Sequence, residues 1–381
     1  MDMPNLSLAE IWSGGGNHIA VHPLRMEEAM GLGELAIEIG ARGWCFFQAS
    51  GSEGRPKWVG LEKEAFLISA RAVNAHLRAT AEDRWLCALP LNHVGGFSIH
   101  ARCFASGAKV VTLPVPWDAR AFAEACAAEC ITLTSLVPTQ VHDLVTQNLR
   151  APESMRAVLV GGGVLSPALR VRAEELGWPV QTTYGMTETA SQIATEAGAD
   201  RMEVLPHWQV SVDETQTLTV RGPALARGYA TREKDGVWRW EPIDPALGLR
   251  TRDRVELTTE GERVWLRFLG RQSGLLKICG ELVSLEALQN RLDQAALDLG
   301  LRGKALMVPL PDERRETRLV IVTEDDNEKM QARLLAAYNS DALPHESVLS
   351  LRHLPTLPQT PVGKPDLKAV IAILTAEDEL R

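Results

Sequence analysis

The chain has 381 residues, 45% of them hydrophobic, and a formal net charge of −9. That length allows two or three domains and at least one sizeable core. No run approaches the roughly 18–20 apolar residues of a membrane span. The acidic balance, with no basic block, argues against general nucleic-acid binding.

The N-terminus, "MDMPNLSLAEIWSGGG", carries neither a basic start nor an apolar stretch with a cleavage site, so no secretory signal is expected. A cytoplasmic protein is the expectation, with monomer and homodimer both left open. From about Arg42 to Tyr184 apolar strand candidates alternate with helical stretches, beginning with "GWCFF" followed by "LEKEAFLISARAVNAHLRA". "WLCALPL", "AKVVTL", "ITLTSLV", "RAVLVGG" and "PVQTTYG" continue the series. Strand and helix alternating at this spacing predict parallel sheets covered by helices, with ligands at the carboxyl ends of the strands. Three loops fall at such ends: Ser50–Gly54, Gly161–Gly163 and Tyr184–Thr189. From about His207 to Phe268 short antiparallel strands are expected. Beyond Gly270 and Arg271 lies a compact mixture of strand and helix. The predicted organisation is a large α/β domain over residues 1–269, with a small antiparallel β region, and a smaller α+β domain over residues 270–381.

Six cysteines, at 45, 87, 103, 126, 130 and 279, include no C-x-x-C pair. Cys126 and Cys130 stand one helical turn apart, without a nearby His or second Cys pair to complete a tetrahedral site. Buried, reduced core cysteines are expected.

"FFQASGSEGRPKWVG" runs from an apolar strand into a loop of small residues and then toward a helix-like segment. Backbone amides there, with Ser50, Gly51, Ser52, Gly54 and Lys57, suit an anion nest leading to a helix N-terminus. A plain surface turn is the competing reading. Glu53 sits in its middle, and its side chain is expected to face solvent or pair with Arg55. In "TTYGMTETASQIAT", Tyr184 offers a flat face for a purine and Gly185 opens the loop. Thr187 can donate to a phosphate, and Glu188 can hold Mg²⁺ against phosphate oxygens. The alternative is a helix N-cap with Thr and Glu in its first turn.

"ASGSEGRPK", "YGMTET", "TRD", "GRQSGLLKICGELVSLEAL" and "TPVGKPDLK", in that order over about residues 45–370, resemble the AMP-forming adenylating superfamily. This includes acyl-CoA synthetases, luciferases and peptide-synthetase adenylation domains. The resemblance implies two steps using ATP, Mg²⁺ and a thiol such as coenzyme A. Lys364 matches the C-terminal lysine that bridges substrate and phosphate oxygens. Asp253 matches the carboxylate that holds the ribose hydroxyls, and Arg271 the arginine near the hinge. Gly161, Gly162 and Gly163 match the stretch lining the adenine pocket. Ser273 falls where many relatives have a hinge aspartate, and Lys277 to Gly280 resembles a loop of the pantetheine tunnel. The family's small domain presents its lysine loop first, then rotates to present another face.

Within the superfamily, "YGMTETASQIAT", "LPLNHVGGFSIHAR" and "TSLVPTQ" are most similar to the o-succinylbenzoate–CoA ligases of menaquinone biosynthesis. Their substrate carries a second carboxylate. Arg102 matches an arginine near that end, with His93 and Ser135 in pocket-lining segments. A core histidine and a solvated helix-face arginine are the competing readings for His93 and Arg102. Three departures stand out: about 48 residues precede the phosphate loop, where relatives have well over a hundred; Ala49 and Glu53 replace common hydroxyl residues; and Leu367 replaces a common basic one. Another aryl or acyl acid, a carrier-protein acceptor, or a non-catalytic homologue are the alternatives.

Overall fold

The computed structural model describes residues 11–12, 14–21, 23–49, 57–113, 117–197, 201–233, 235–271, 275–278, 281–301, 303–312, 315–360 and 363–379. Strands Arg84–Cys87, Lys109–Thr112, Leu133–Leu136, Ala157–Val160 and Val180–Tyr184 are parallel neighbours. Helices Val94–Ser106, Ala119–Ala128, Pro138–Thr146 and Pro167–Glu175 connect them. All four residues of Leu133–Leu136 and of Ala157–Val160 are buried, as strands covered on both faces require. Local chemistry starts the helices: Asp118 and Ser166 accept from Ala121 N and Leu169 N as N-caps, the latter followed by Pro167.

Two sequence expectations need correction. The Trp44–Ala49 strand does not join the parallel sheet, and the segment after the opening loop is not helical at its start. Lys57–Glu62 is a strand, paired antiparallel with Trp44–Ala49 so that Cys45 faces Leu61 and Phe47 faces Val59. The helix begins only at Lys63. Residues Trp58 to Leu61 are buried in an unbroken run, which a strand between covered faces tolerates and an amphipathic helix turn does not. The small-residue loop therefore joins two antiparallel strands rather than a strand and a helix. These strands belong to a five-stranded sheet completed by His18–Ala20, Gly228–Arg232 and Trp238–Pro242.

The antiparallel region is also larger than expected. Val180–Tyr184 pairs antiparallel with Ala194–Glu196. The sheet then continues through Met202–Val204, Arg263–Arg271, Leu249–Glu260, Thr217–Arg221 and Gln209–Val212 to a total of eleven strands. Asp253 and Arg271, adjacent in register on two of these strands, are thereby tied to the same sheet as Tyr184.

Beyond Arg271 the ribbon Leu275–Ile278 with Glu281–Ser284 leads into helix Leu285–Asp298. A three-stranded sheet, Ala305–Asp312, Glu316–Thr323 and Ser350–His353, follows with helices Glu328–Ser340 and Leu367–Glu379. Period-2 alternation gives that sheet two cores. Met307, Leu319 and Ile321 pack with Leu288, Leu292 and Leu334. Val308, Val320 and Val322 pack with Val370 and Leu374.

Cys45, Cys87, Cys103 and Cys126 are buried and free, as expected, whereas Cys130 is exposed. Cys130 follows the C-terminus of the Ala119–Ala128 helix with φ of +47°, so the turn, not the core, claims it. No described helix is long and apolar enough to cross a membrane.

Asp83 ties the start of the parallel strands together. It accepts from Thr80 N, Thr132 Oγ1 and the Arg156 guanidinium at 2.7–2.8 Å. Burial works against its charge, but Arg156, Thr132 and Thr80 hold its pKa down at about 2. A depressed carboxylate stabilises the fold above its ordinary pKa of 3.8 and stops doing so as pH falls through about 2. The stability gap between the protein and Asp83→Asn in denaturant titrations is expected to shrink by roughly 2 kcal/mol between pH 5 and pH 2.

Candidate active site

The site forms where the parallel strands end. Gly161 to Gly163 follow Ala157–Val160, and the Gly161 amide donates to Leu136 O across the neighbouring strand (3.1 Å). Gly162 has φ of +76°, and a Cβ there would lie 3.1 Å from Lys364 Cε and 3.2 Å from Nζ. One strand over, Val180–Tyr184 runs into Gly185 and the short 3-10 turn Thr187–Thr189. A Cβ at Gly185 would fall 1.6 Å from Ser191 O, so only glycine lets the returning chain pass. Ala190 and Ser191 then take φ of +48° and +100°. Non-glycine residues in that region mark strain held by surrounding structure, which is concentrated at functional sites.

Asp253 is 3% exposed. Its carboxylate accepts from the Tyr184 hydroxyl (2.7 Å) and from Arg271 Nε (2.9 Å), and its own amide donates to Thr251 Oγ1 (3.1 Å). Tyr184 is buried with its ring against Phe268, centroids 5.6 Å apart. The tyrosine expected to offer a flat face is thus seen as a hydrogen-bond donor that orients Asp253. Glu286, on the Leu285–Asp298 helix, lies 3.6 Å from the Cβ position of Gly270, and burial and Asp253 raise its pKa.

Glu188 is half-buried and accepts from the Tyr229 hydroxyl (3.2 Å). Burial pushes its pKa up, so the carboxylate lacks sufficient compensation for its charge. A divalent cation would supply it. Among the described residues no cluster of three or more acidic, His or Cys ligands forms. One carboxylate beside a polyphosphate suits Mg²⁺, which keeps several waters and binds through few protein groups. Lys57 holds its ammonium 5.1 Å from the centroid of the Tyr229 ring.

Lys364 reaches the site from beyond residue 271. Burial and the nearby Arg271 guanidinium push its pKa down to about 8. Two cations therefore lie near each other, Lys364 beside the glycine loop and Arg271 on Asp253, an arrangement that favours an anion near both.

On the far side, Arg102 is 2% exposed on the Val94–Ser106 helix. Its guanidinium donates to Ser135 Oγ (3.2 Å), Gln192 Oε1 (2.5 Å) and Ser191 Oγ (3.4 Å), and lies 5.4 Å from the centroid of the Trp85 ring. No carboxylate pairs with it among the described residues, and burial lowers its pKa to about 10. The solvated helix-face reading is excluded. His93 is the N-cap residue of the same helix, and Ser135, 7% exposed, stands next to last in the strand Leu133–Leu136.

Ser50, Gly51, Ser52, Glu53, Gly54, Arg55, Ser273 and Gly280 lie outside the described residues, as does the side chain of Lys277. Sequence reasoning did not single out Tyr229, Gln192 or Thr139, because hydroxyl and amide residues carry no spacing signal. Only the fold brings Tyr229 within reach of Glu188 across 41 positions.

Residues 46–230 match the AMP-binding enzyme family. The chain's curated relatives are 2-succinylbenzoate–CoA ligases. That of Bacillus cereus is 31% identical over 301 residues, covering 74% of this chain and 58% of the relative. That of Bacillus subtilis is 32% identical over 248 residues, covering 61% and 49%. The chain thus spans about half the length of the curated relatives it matches. Among solved structures, o-succinylbenzoate CoA synthetase from Bacillus subtilis in complex with the acyl-adenylate intermediate OSB-AMP aligns with a TM-score of 0.68 at 24% identity, covering 86% of this chain and 68% of that one. ATP-bound MatB from Rhodopseudomonas palustris aligns at 0.69 and 18%, covering 86% and 67%. These likenesses show that the chain shares the fold of these structures.

Proposed function

We propose that the chain is an ATP-dependent acid–thiol ligase of the cytoplasm that converts o-succinylbenzoate to its coenzyme A thioester. A carboxylate oxygen of the acid attacks the α-phosphorus of ATP, the bond to the β-phosphate oxygen breaks, and pyrophosphate leaves. The sulfur of coenzyme A then attacks the acyl carbon, the thiol gives up its proton, and AMP departs. Lys364 and Arg271 neutralise the approach of an anion to a polyanion, which is where such a step needs most help. Asp253, fixed by Tyr184 and Arg271, accepts from the ribose hydroxyls; Gly161 to Gly163 let the nucleotide approach the backbone. Thr187 donates to phosphate. Glu188, oriented by Tyr229, would hold Mg²⁺, which draws charge from the phosphate oxygens.

The observation that carries the choice of acid is Arg102. A guanidinium buried without a carboxylate is costly to keep, and a substrate bearing a second carboxylate would complete it. The relatives named for this reaction support the same reading. Residues 1–269 and 270–381 are proposed as the two working domains, with Gly270, at φ of +118°, as the pivot beside Arg271 and Ser273. Lys277 and Gly280 are assigned to the coenzyme A side.

The test is ATP–pyrophosphate exchange by purified protein across a panel of acids, followed by coenzyme A addition. Exchange dependent on o-succinylbenzoate is expected, and exchange only with acids lacking a second carboxylate would refute the assignment. The pH profile adds a check. Lys364 is charged below about pH 8 and neutral above it in the free protein. The kcat/KM for ATP in adenylation is therefore expected to fall above about pH 8, and the residual activity of Lys364→Ala to lack that limb.

A further inference from the structure

We propose that Thr139 and the Asp143–Lys304 ion pair are positioning residues for Lys364, a two-point contact that seats the lysine loop over the glycine loop. The inference rests on the role proposed above for Lys364. Among the described residues no acidic partner holds that lysine, whose side chain is half-buried near another cation. Its position must be held from elsewhere.

The helix Pro138–Thr146 supplies the hold. Thr139 and Asp143 are four residues apart and share one face. The Thr139 hydroxyl donates to Gly363 O (2.7 Å), the residue before Lys364. Asp143 Oδ1 lies 3.5 Å from Lys304 Nζ, with side chains 23% and 16% exposed. The Trp117 indole donates to the other oxygen of Asp143 (3.0 Å), so this carboxylate is held in place from its own domain. Hydrogen bonds tie Gly363 and Lys364 to Thr360. Thr360 N donates to Lys364 O (2.7 Å), Gly363 N to Thr360 O (2.8 Å), and Lys364 N to Thr360 Oγ1 (3.2 Å). Fixing Gly363 therefore fixes Lys364. The hydrogen bond sets the tip of the loop, and the ion pair sets the body of the small domain behind it.

Two readouts test this in the full chain. In the first, the rate of reductive methylation of Lys364 by formaldehyde and sodium cyanoborohydride is followed by peptide mass spectrometry, which needs no catalysis. Thr139→Val combined with Lys304→Met is expected to expose Lys364 and label it about 10-fold faster, with Thr139→Ser close to the parent protein. In the second, the double variant is expected to lose about 10-fold in pyrophosphate exchange while transfer from preformed acyl-adenylate to coenzyme A changes less than about twofold. Unchanged labelling in a double variant with a normal unfolding midpoint overturns the proposal, as do equal losses in both half-reactions. If the parent protein shows no exchange with any acid, the role of Lys364 falls, and the labelling rate alone still decides whether these contacts seat it.

Discussion

Lys364→Ala is expected to slow acyl-adenylate formation by about 10²–10³-fold and to leave transfer from preformed acyl-adenylate to coenzyme A nearly intact. The size follows from the role proposed for the ammonium, which lies beside Gly162 and near Arg271. In a site shielded from water such a contact is worth more than on the surface. The selectivity follows from chemistry, because the second step transfers the acyl group to sulfur and expels AMP without a polyphosphate to stabilise. Single-turnover measurements of each half-reaction check it. Comparable losses in both would remove Lys364 from the role given to it.

Arg102→Met is expected to separate function from stability. Among the described residues the guanidinium is buried without a carboxylate, so its desolvation opposes folding in the unliganded protein. Against this, Gln192, Ser135 and Ser191 lose a donor, at about 1–3 kcal/mol for a buried group left unsatisfied. These effects oppose each other, and the unfolding midpoint is expected to stay within a few degrees. Substrate binding has no such compensation. Losing one partner of a buried charge pair costs about 2–5 kcal/mol, which raises KM for o-succinylbenzoate by roughly 30-fold or more. An aryl acid without a second carboxylate is expected to change by less than about threefold. Equal losses for both acids would mean that Arg102 supports the pocket without reading the substrate.

The parallel strands and their helices were legible because buried strands and amphipathic helices announce themselves by period. The loops that end those strands were legible for the same reason. The Lys57–Glu62 strand was not: its residues continue directly into the Lys63–Leu77 helix, and no turn signal marks the change. Nor was the eleven-stranded sheet, since antiparallel strands declare themselves without naming their neighbours.

The sequence by itself determined the chemistry available. Lys364, Asp253, Glu188, Arg271 and Arg102 stand in ordered motifs, and their charges limit the partners that each can meet. Tertiary structure alone decided their company. It buried Arg102 without an acid among the described residues, placed the Tyr184 hydroxyl on Asp253, and brought Lys364 beside Gly162, with Thr139 on Gly363 and Lys304 near Asp143. The reason is physical. A motif is a local pattern, but burial and a partner more than 200 residues away (224 between Thr139 and Gly363) depend on how the sheets close.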